Sequence, residues 1–180
     1  MLLLLLSCRG DDPAPATTGT DPLTLDAGVE VIVDSSGVSH IYAETEDDAH
    51  FMQGYVTASD RLFQMDIMRR RAYGTRAEIL GESYYSSDLQ SRALRFAEYG
   101  AATAAALPDE DPEIWATMQA YAAGVDAYIS DAIVGRNGAS LPPQFAALGY
   151  EPDPWTATDS LTMEKLLTAG LAMRPDQDLI

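Results

Sequence analysis

The sequence predicts an α+β chain, mostly helical, that opens with a β-hairpin. Three observations support that class. Gly28-Val29-Glu30-Val31-Ile32-Val33-Asp34 alternates toward a β pattern, Ser35-Ser36-Gly37 supplies a turn, and Val38 to Ala43 returns as a second strand. From about Glu46 the apolar residues recur at helical steps of four and three. Between Glu110 and Ala132 the helical period is the strongest in the chain.

A lone hairpin is marginal in water, so this pair has to be covered or extended by further strands. In the first long helix Phe51, Tyr55, Ala58, Leu62 and Met65 form one stripe, which reads as core. Gly54 lies inside that stripe at a penalty of about 1 kcal/mol against alanine, which marks a close approach of another backbone. After Tyr73-Gly74 a short helix through Ala77-Glu78-Ile79-Leu80 ends at Gly81. A third helix is expected from near Ser87 to Ala106, stopping before Pro108.

The Glu110 to Ala132 helix places Ile114, Met118, Tyr121, Val125, Tyr128 and Ala132 on one face, widened by Trp115 and Ile129. Gly135-Arg136-Asn137-Gly138 reads as a loop, and Leu141-Pro142-Pro143 starts a short helix through Phe145 and Leu148. Pro152-Asp153-Pro154-Trp155 forms a rigid approach to the last helix. Thr156 and Asp159, three residues apart, make a capping-box pattern at its start.

Ahead of the folded part, residues 1–8 read as a lipoprotein-type signal segment: Met1 to Leu6 is apolar, and Ser7 precedes Cys8. The run is far short of the roughly 20 apolar residues that span a bilayer. Residues 9–27 are polar and rich in proline and threonine, with no periodicity, and read as a disordered tether. Cys8 is the sole cysteine, so no internal disulfide forms. Three readings of it remain: a lipid-attachment site, an N-terminal cysteine nucleophile, and an unmodified terminus. The tether favours the lipid anchor, because a nucleophile has to be held rigidly.

A formal charge of −17 opposes binding to phosphate backbones. The single basic cluster, Arg69-Arg70-Arg71, reads as a solvated helix face paired with carboxylates such as Asp66 and Glu78. Contact with a membrane is therefore expected only through a lipid on Cys8.

The residues show no self-sufficient active site. His40 lies in the second strand and His50 at the start of the first long helix, neither with a second ligand at zinc spacing nor a partner motif for nucleophilic catalysis. His40 reads as a polar strand residue bonded to backbone or a neighbouring loop, and His50 as a surface residue.

Several ordered blocks nevertheless carry a resemblance. Gly37 to Ala43, Gln53-Gly54-Tyr55-Val56, Asp60-Arg61-Leu62-Phe63-Gln64-Met65-Asp66, Arg69-Arg70, Gly74, Ala77-Glu78 and Leu80-Gly81 resemble the N-terminal α-chain region of the penicillin acylase family. Ala120 to Tyr128, Leu141-Pro142-Pro143-Gln144-Phe145, Leu148-Gly149-Tyr150, Pro154-Trp155-Thr156 and Asp159-Ser160-Leu161 resemble later blocks of that chain in the same order. Residues 28–180 are thereby identified as the α-chain region.

The resemblance implies an N-terminal-nucleophile hydrolase of αββα fold, in which the hairpin and helices complete a β chain cut from the same precursor. The β chain's new N-terminal serine attacks the amide, its own α-amino group acts as base, and an asparagine side chain with backbone N–H groups forms the oxyanion hole. None of the catalytic residues is expected in this chain; its one asparagine, Asn137, falls in a loop. Implied partners are the β chain and a small N-acyl substrate, such as a β-lactam side chain, an acyl-homoserine lactone or another acylated amine.

The same resemblance places Thr168, Leu171 and Ala172 at positions that contact the acyl group, although helix packing accounts for them equally. Asp178 falls where the family has an acidic calcium ligand, usually glutamate; its shorter side chain leaves a solvated carboxylate as the other reading. A structural calcium ion is the one cofactor implied, with no organic cofactor. Ser39 replaces a common proline, and Met173-Arg174-Pro175 replaces a Gly-Gly-Asn-like stretch. The protein is expected to be exported, either periplasmic or anchored by lipid. From another class, a non-catalytic helical binding lipoprotein or truncated pseudoenzyme would share the same composition.

Overall fold

The computed structural model describes the backbone of residues 6–8, Leu25, and residues 28–172. The expectations for most of the tether, the Cys8 side chain, Met173-Arg174-Pro175 and Asp178 lie outside the described residues.

The hairpin forms as β2 (Val29–Val33) and β3 (Ser39–Ala43), antiparallel with Val31 opposite Ile41; β1 (Leu6–Cys8) pairs in parallel with β2. Asp34 builds the turn. Its carboxylate accepts hydrogen bonds from the amides of Val38 at 2.9 Å and Ser36 at 2.8 Å, and lies 3.2 Å from His40 Nε2. His40 thus bonds the turn carboxylate, as a polar strand residue should. The Val38 amide above all, then His40 and the Ser36 amide, hold Asp34 below its ordinary carboxylate range. The sign follows from linkage. The turn's contribution is complete above the unfolded pKa, near ~3.9, and is lost as pH falls through the lower folded value. His40→Ala is expected to raise the Asp34 pKa without restoring the unfolded value, because both amides remain. A carboxyl NMR titration that finds Asp34 unmoved would refute His40's share.

Helix α1 (Glu46–Tyr73) starts on Thr45, whose hydroxyl accepts from the Asp48 amide at 3.1 Å, and ends on the left-handed Gly74. The helix is kinked at Arg61, where φ is −147°. The expected stripe of Phe51, Tyr55, Ala58, Leu62 and Met65 is buried, and it packs against α5 (Pro112–Val134) and β2. Tyr55 meets Tyr128 edge-on at 5.3 Å between ring centroids.

Gly54 is the close approach that its sequence position suggests. A Cβ there would lie 2.0 Å from the Tyr121 carbonyl oxygen, and on α5 a Cβ at Gly124 would lie 1.8 Å from that of Phe51. The two glycines face each other's helix backbones, which fixes the α1–α5 crossing.

Three helical expectations are corrected. The single helix from Ser87 to Ala106 is two, α3 (Tyr85–Ala93) and α4 (Phe96–Glu110), broken at the left-handed Arg95 with φ 58°. The break turns Phe96 into a small second core with Ala72 and Leu166. Pro108 does not end α4; it forfeits one backbone donor in the last turn, yet the Asp111 amide still closes onto the Leu107 carbonyl at 2.8 Å. Finally, α5 begins at Pro112 with Asp111 as its cap, and Ile114, in its first turn, is exposed rather than on the buried face.

Between α1 and α3 lie a short helix α2 (Ala77–Leu80), ended by Gly81 as expected, and one 3₁₀ turn (Glu82–Tyr84). After α5, the short α6 (Pro143–Leu148) sets Phe145 into the core. Helix α7 (Ala157–Ala172) then packs on α4 and α1. Its start is a true capping box: the Thr156 amide donates to Asp159 Oδ2 at 2.8 Å, and the Asp159 amide donates to Thr156 Oγ1 at 3.4 Å.

Candidate functional site

The end of α7 carries the three residues expected to meet an acyl group. Thr168, Leu171 and Ala172 follow the i, i+3, i+4 spacing that places side chains on one helix face, and all three are exposed. Leu171 is 78% exposed, a large apolar side chain left in water. Thr168 donates to Glu164 Oε1 at 2.7 Å. Glu164 is held below its ordinary range, by Lys165 first and Thr168 second.

Beside this end lies a groove of about 360 Å³ whose walls come from four helices: Met68 on α1, Ser91 on α3, Phe96 on α4, and Leu166 and Leu171 on α7. Its lining is mostly apolar, with Arg71 at one side. The structure brings Leu171 to the groove and leaves Thr168 and Ala172 outside its lining. The arrangement offers apolar contact rather than bond-breaking chemistry. Among the described residues, His40 is bound to Asp34 and His50 lies 3.5 Å from Gln53, and no group of three or more acids, histidines or cysteines is placed to hold a metal.

What holds α7 is a buried charge cluster that the sequence reading did not assemble. The Asp66 side chain is only 1% exposed; its carboxylate accepts from Arg69 at 2.6 Å, Arg70 at 2.9 Å and the Tyr150 hydroxyl at 2.8 Å. Arg69 continues across to the α7 approach, donating to the carbonyls of Pro154 at 2.9 Å and Asp153 at 3.1 Å. It also lies 3.8 Å from the Asp159 carboxylate and over the Trp155 ring at 4.9 Å. Burial, and then the Asp66 charge, push the Tyr150 hydroxyl up, which keeps it a donor.

The solvated basic face is therefore corrected for Arg69 and Arg70, while Arg71 is exposed as expected. Arg69 is buried and Arg70 nearly so, because Asp66 supplies the charge that burial requires. Pairing with Asp66 holds, whereas Glu78 faces Arg92 at 3.7 Å. The local signal was available in the i, i+3 and i, i+4 spacing of Asp66, Arg69 and Arg70. Asn137, in its expected loop, donates to Asp131 at 2.7 Å, where the carboxylate also accepts from Tyr55 at 3.1 Å.

Residues 28–180 match the family described as Penicillin amidase. The chain belongs to the penicillin amidase family. It is 38% identical over 149 residues to the Penicillin acylase 2 proenzyme of Pseudomonas sp. (strain SE83), covering 83% of this chain and 18% of that protein. Against Penicillin G acylase of Escherichia coli it is 37% identical, covering 73% of this chain and 15% of the relative. The Acyl-homoserine lactone acylase QuiP of Pseudomonas aeruginosa (strain PAO1) is 33% identical, covering 97% and 20%. The chain thus spans about a fifth or less of the length of these relatives.

The fold agrees. The solved thermostable penicillin G acylase from Alcaligenes faecalis superposes with a TM-score of 0.70 at 30% identity, over 84% of this chain and 76% of that one. As a penicillin amidase family member, the chain has a mostly helical α+β fold that includes the expected hairpin.

Proposed function

We propose that this chain is the α-chain part of an amidohydrolase that cleaves linear amide bonds in N-acyl compounds. The nucleophile is an N-terminal serine on a β chain of the same precursor. The observation that carries this reading is the penicillin amidase match across residues 28–180, in relatives whose names specify penicillin and acyl-homoserine lactone acylases. The name "proenzyme" of one relative supports a processed partner chain.

The exposed apolar surface supports the same division. Val38 and Tyr42 on the hairpin and Leu167 and Leu171 on α7 are all more than half exposed, at 52, 58, 51 and 78%. Scattered apolar residues are ordinary on a surface, but those on α7 cluster at the groove. In this reading Leu171 lines the acyl site, with Thr168 and Ala172 beside it at the rim, and the apolar lining selects an acyl group over a charged one. Asp178 is the acidic residue proposed to ligate a structural calcium. Export to the periplasm, with Cys8 as the lipid-bearing residue, completes the reading; no described helix is long and apolar enough to cross a membrane.

The test is expression of residues 1–180 with and without the β-chain region that would follow, and an assay of release of the amine from N-acyl substrates. Hydrolysis is expected only when both regions are present. Turnover by the 180-residue chain alone refutes the division of labour, and inactivity of a correctly processed pair on penicillin and homoserine-lactone substrates refutes the acylase reading.

A further inference from the structure

Helix α7 carries its polar anchors at its start. At its start the Thr156–Asp159 cap, the Arg69 bonds to Asp153 and Pro154, and the Trp155 amide donating to Asp126 at 3.0 Å all converge within one turn. Its middle is pressed on α4, where a Cβ at Gly100 would lie 2.2 Å from Thr162 Oγ1. Beyond Leu166, Ala169 packs on the second core, whereas Leu167, Thr168, Gly170, Leu171 and Ala172 are exposed. From Asp159 to Leu171 the helix rises about 18 Å, so a tilt of about 5° at the start displaces Leu171 by about 1.6 Å.

The opposite groove wall is held separately. On α3, Asp88 accepts from the Ala77 amide at 2.7 Å, and Arg92 donates to the Gly74 carbonyl at 2.8 Å; neither bond involves Arg69. The width between Leu171 and α3 is therefore set on one side by the α2–α3 turn and on the other by the tilt of α7.

From this lever geometry we infer that Arg69, acting with Asp159, is a positioning residue that sets the acyl-chain preference by fixing the tilt of α7. The inference rests on the acylase reading for its consequence in activity, but not for its structural premise. Arg69 touches no substrate; its planar fork spans two carbonyls and two carboxylates, a task that a lysine ammonium with one point of charge does not perform. Its loss would move the acyl wall while leaving a nucleophile on another chain untouched.

Two measurements test it. In a Cys8→Ser background, spin labels at Gln90→Cys and Gly170→Cys report the distance across the groove in the 180-residue chain. A single narrow distance is expected, shifted or broadened by about 1.4 Å in Arg69→Lys and in Asp159→Asn, the displacement that a tilt of about 5° produces at Gly170. Asp131→Asn, which disturbs a buried carboxylate away from α7, is expected to leave it unchanged. In the chain joined to its β-chain region, the ratio of kcat/KM for a hexanoyl against a dodecanoyl amide should change about tenfold in Arg69→Lys, carried by KM, and not in Asp131→Asn. Circular dichroism of every variant identifies any that fails to fold, and Asp159→Asn serves if Arg69→Lys does.

An unmoved distance in the folded variants overturns the inference, as does an unchanged selectivity ratio when the distance moves. An equal change in Asp131→Asn also overturns it, because the effect would then be general destabilisation. If the joined wild type hydrolyses neither amide, the acylase reading fails by itself while the distance arm still decides what fixes α7.

Discussion

Asp66→Ala is expected to lower the unfolding free energy by about 3–5 kcal/mol, the usual penalty for removing one partner of a buried ion pair. The carboxylate is almost inaccessible and receives three donors, two of them guanidinium groups. Its removal leaves Arg69 and Arg70 charged, because a guanidinium does not deprotonate in a protein, with one fixed opposing charge fewer in a site that excludes water. Arg69 keeps its bonds to Pro154 and Asp153, and Asp159 at 3.8 Å remains its nearest carboxylate, so the loss falls short of unfolding the chain outright. Tyr150→Phe removes one neutral donor from the same carboxylate and should cost about 1 kcal/mol. Urea denaturation distinguishes the two; a loss under about 1 kcal/mol for Asp66→Ala would mean that the cluster is solvated, as the sequence first suggests. The exposed Arg95–Glu98 pair is the contrast, since water screens it and its removal should be barely measurable.

That cluster marks the boundary of what the sequence discloses. The hairpin, α1 with its buried stripe and the Thr156–Asp159 cap are legible, because each depends on residues within a few positions of one another, whereas Gly54 signals a close backbone without naming Tyr121 as its source. Tyr150 and Pro154 are 84 and 85 residues from the side chains they bond, and no local period encodes such a pairing. The charge rule that places arginines on a solvated face fails for Arg69 because the Asp66 carboxylate with which it pairs is itself buried. The break at Arg95 is hidden for a different reason: arginine carries no turn preference, and the alanine-rich run after it reads as uninterrupted helix. What selects the left-handed residue is tertiary, namely the burial of Phe96 beside Ala72 and Leu166. Ile114 fits the period of α5 yet stays outside the core, so the period alone does not say where burial begins. As for the candidate site, Thr168, Leu171 and Ala172 come from the family resemblance; the groove itself is assembled from four helices distant in sequence, and of the three only Leu171 lines it.

Gly124→Ala is the second large effect expected, and it carries a sharper test because its partner is known. The new methyl would sit 1.8 Å from the Phe51 carbonyl oxygen and 3.0 Å from the Tyr55 amide nitrogen, atoms of a helix backbone that cannot rotate aside. Alanine returns about 1 kcal/mol of helix propensity, while forcing two packed helices apart costs about 3 kcal/mol, the upper end of overpacking. A net loss of about 2 kcal/mol is therefore expected from those two magnitudes. Gly54→Ala meets the Tyr121 carbonyl at 2.0 Å and should behave alike. Both clashes are relieved by the same separation of α1 from α5, so once one methyl has moved the helices apart the second finds room. The double variant should thus lose clearly less than the sum of the singles, with a coupling of about 1 kcal/mol or more. Strict additivity in denaturant unfolding would show that each glycine is accommodated locally, and that the paired approach does not fix the crossing on which the core of Phe51, Tyr55, Val125 and Tyr128 is built.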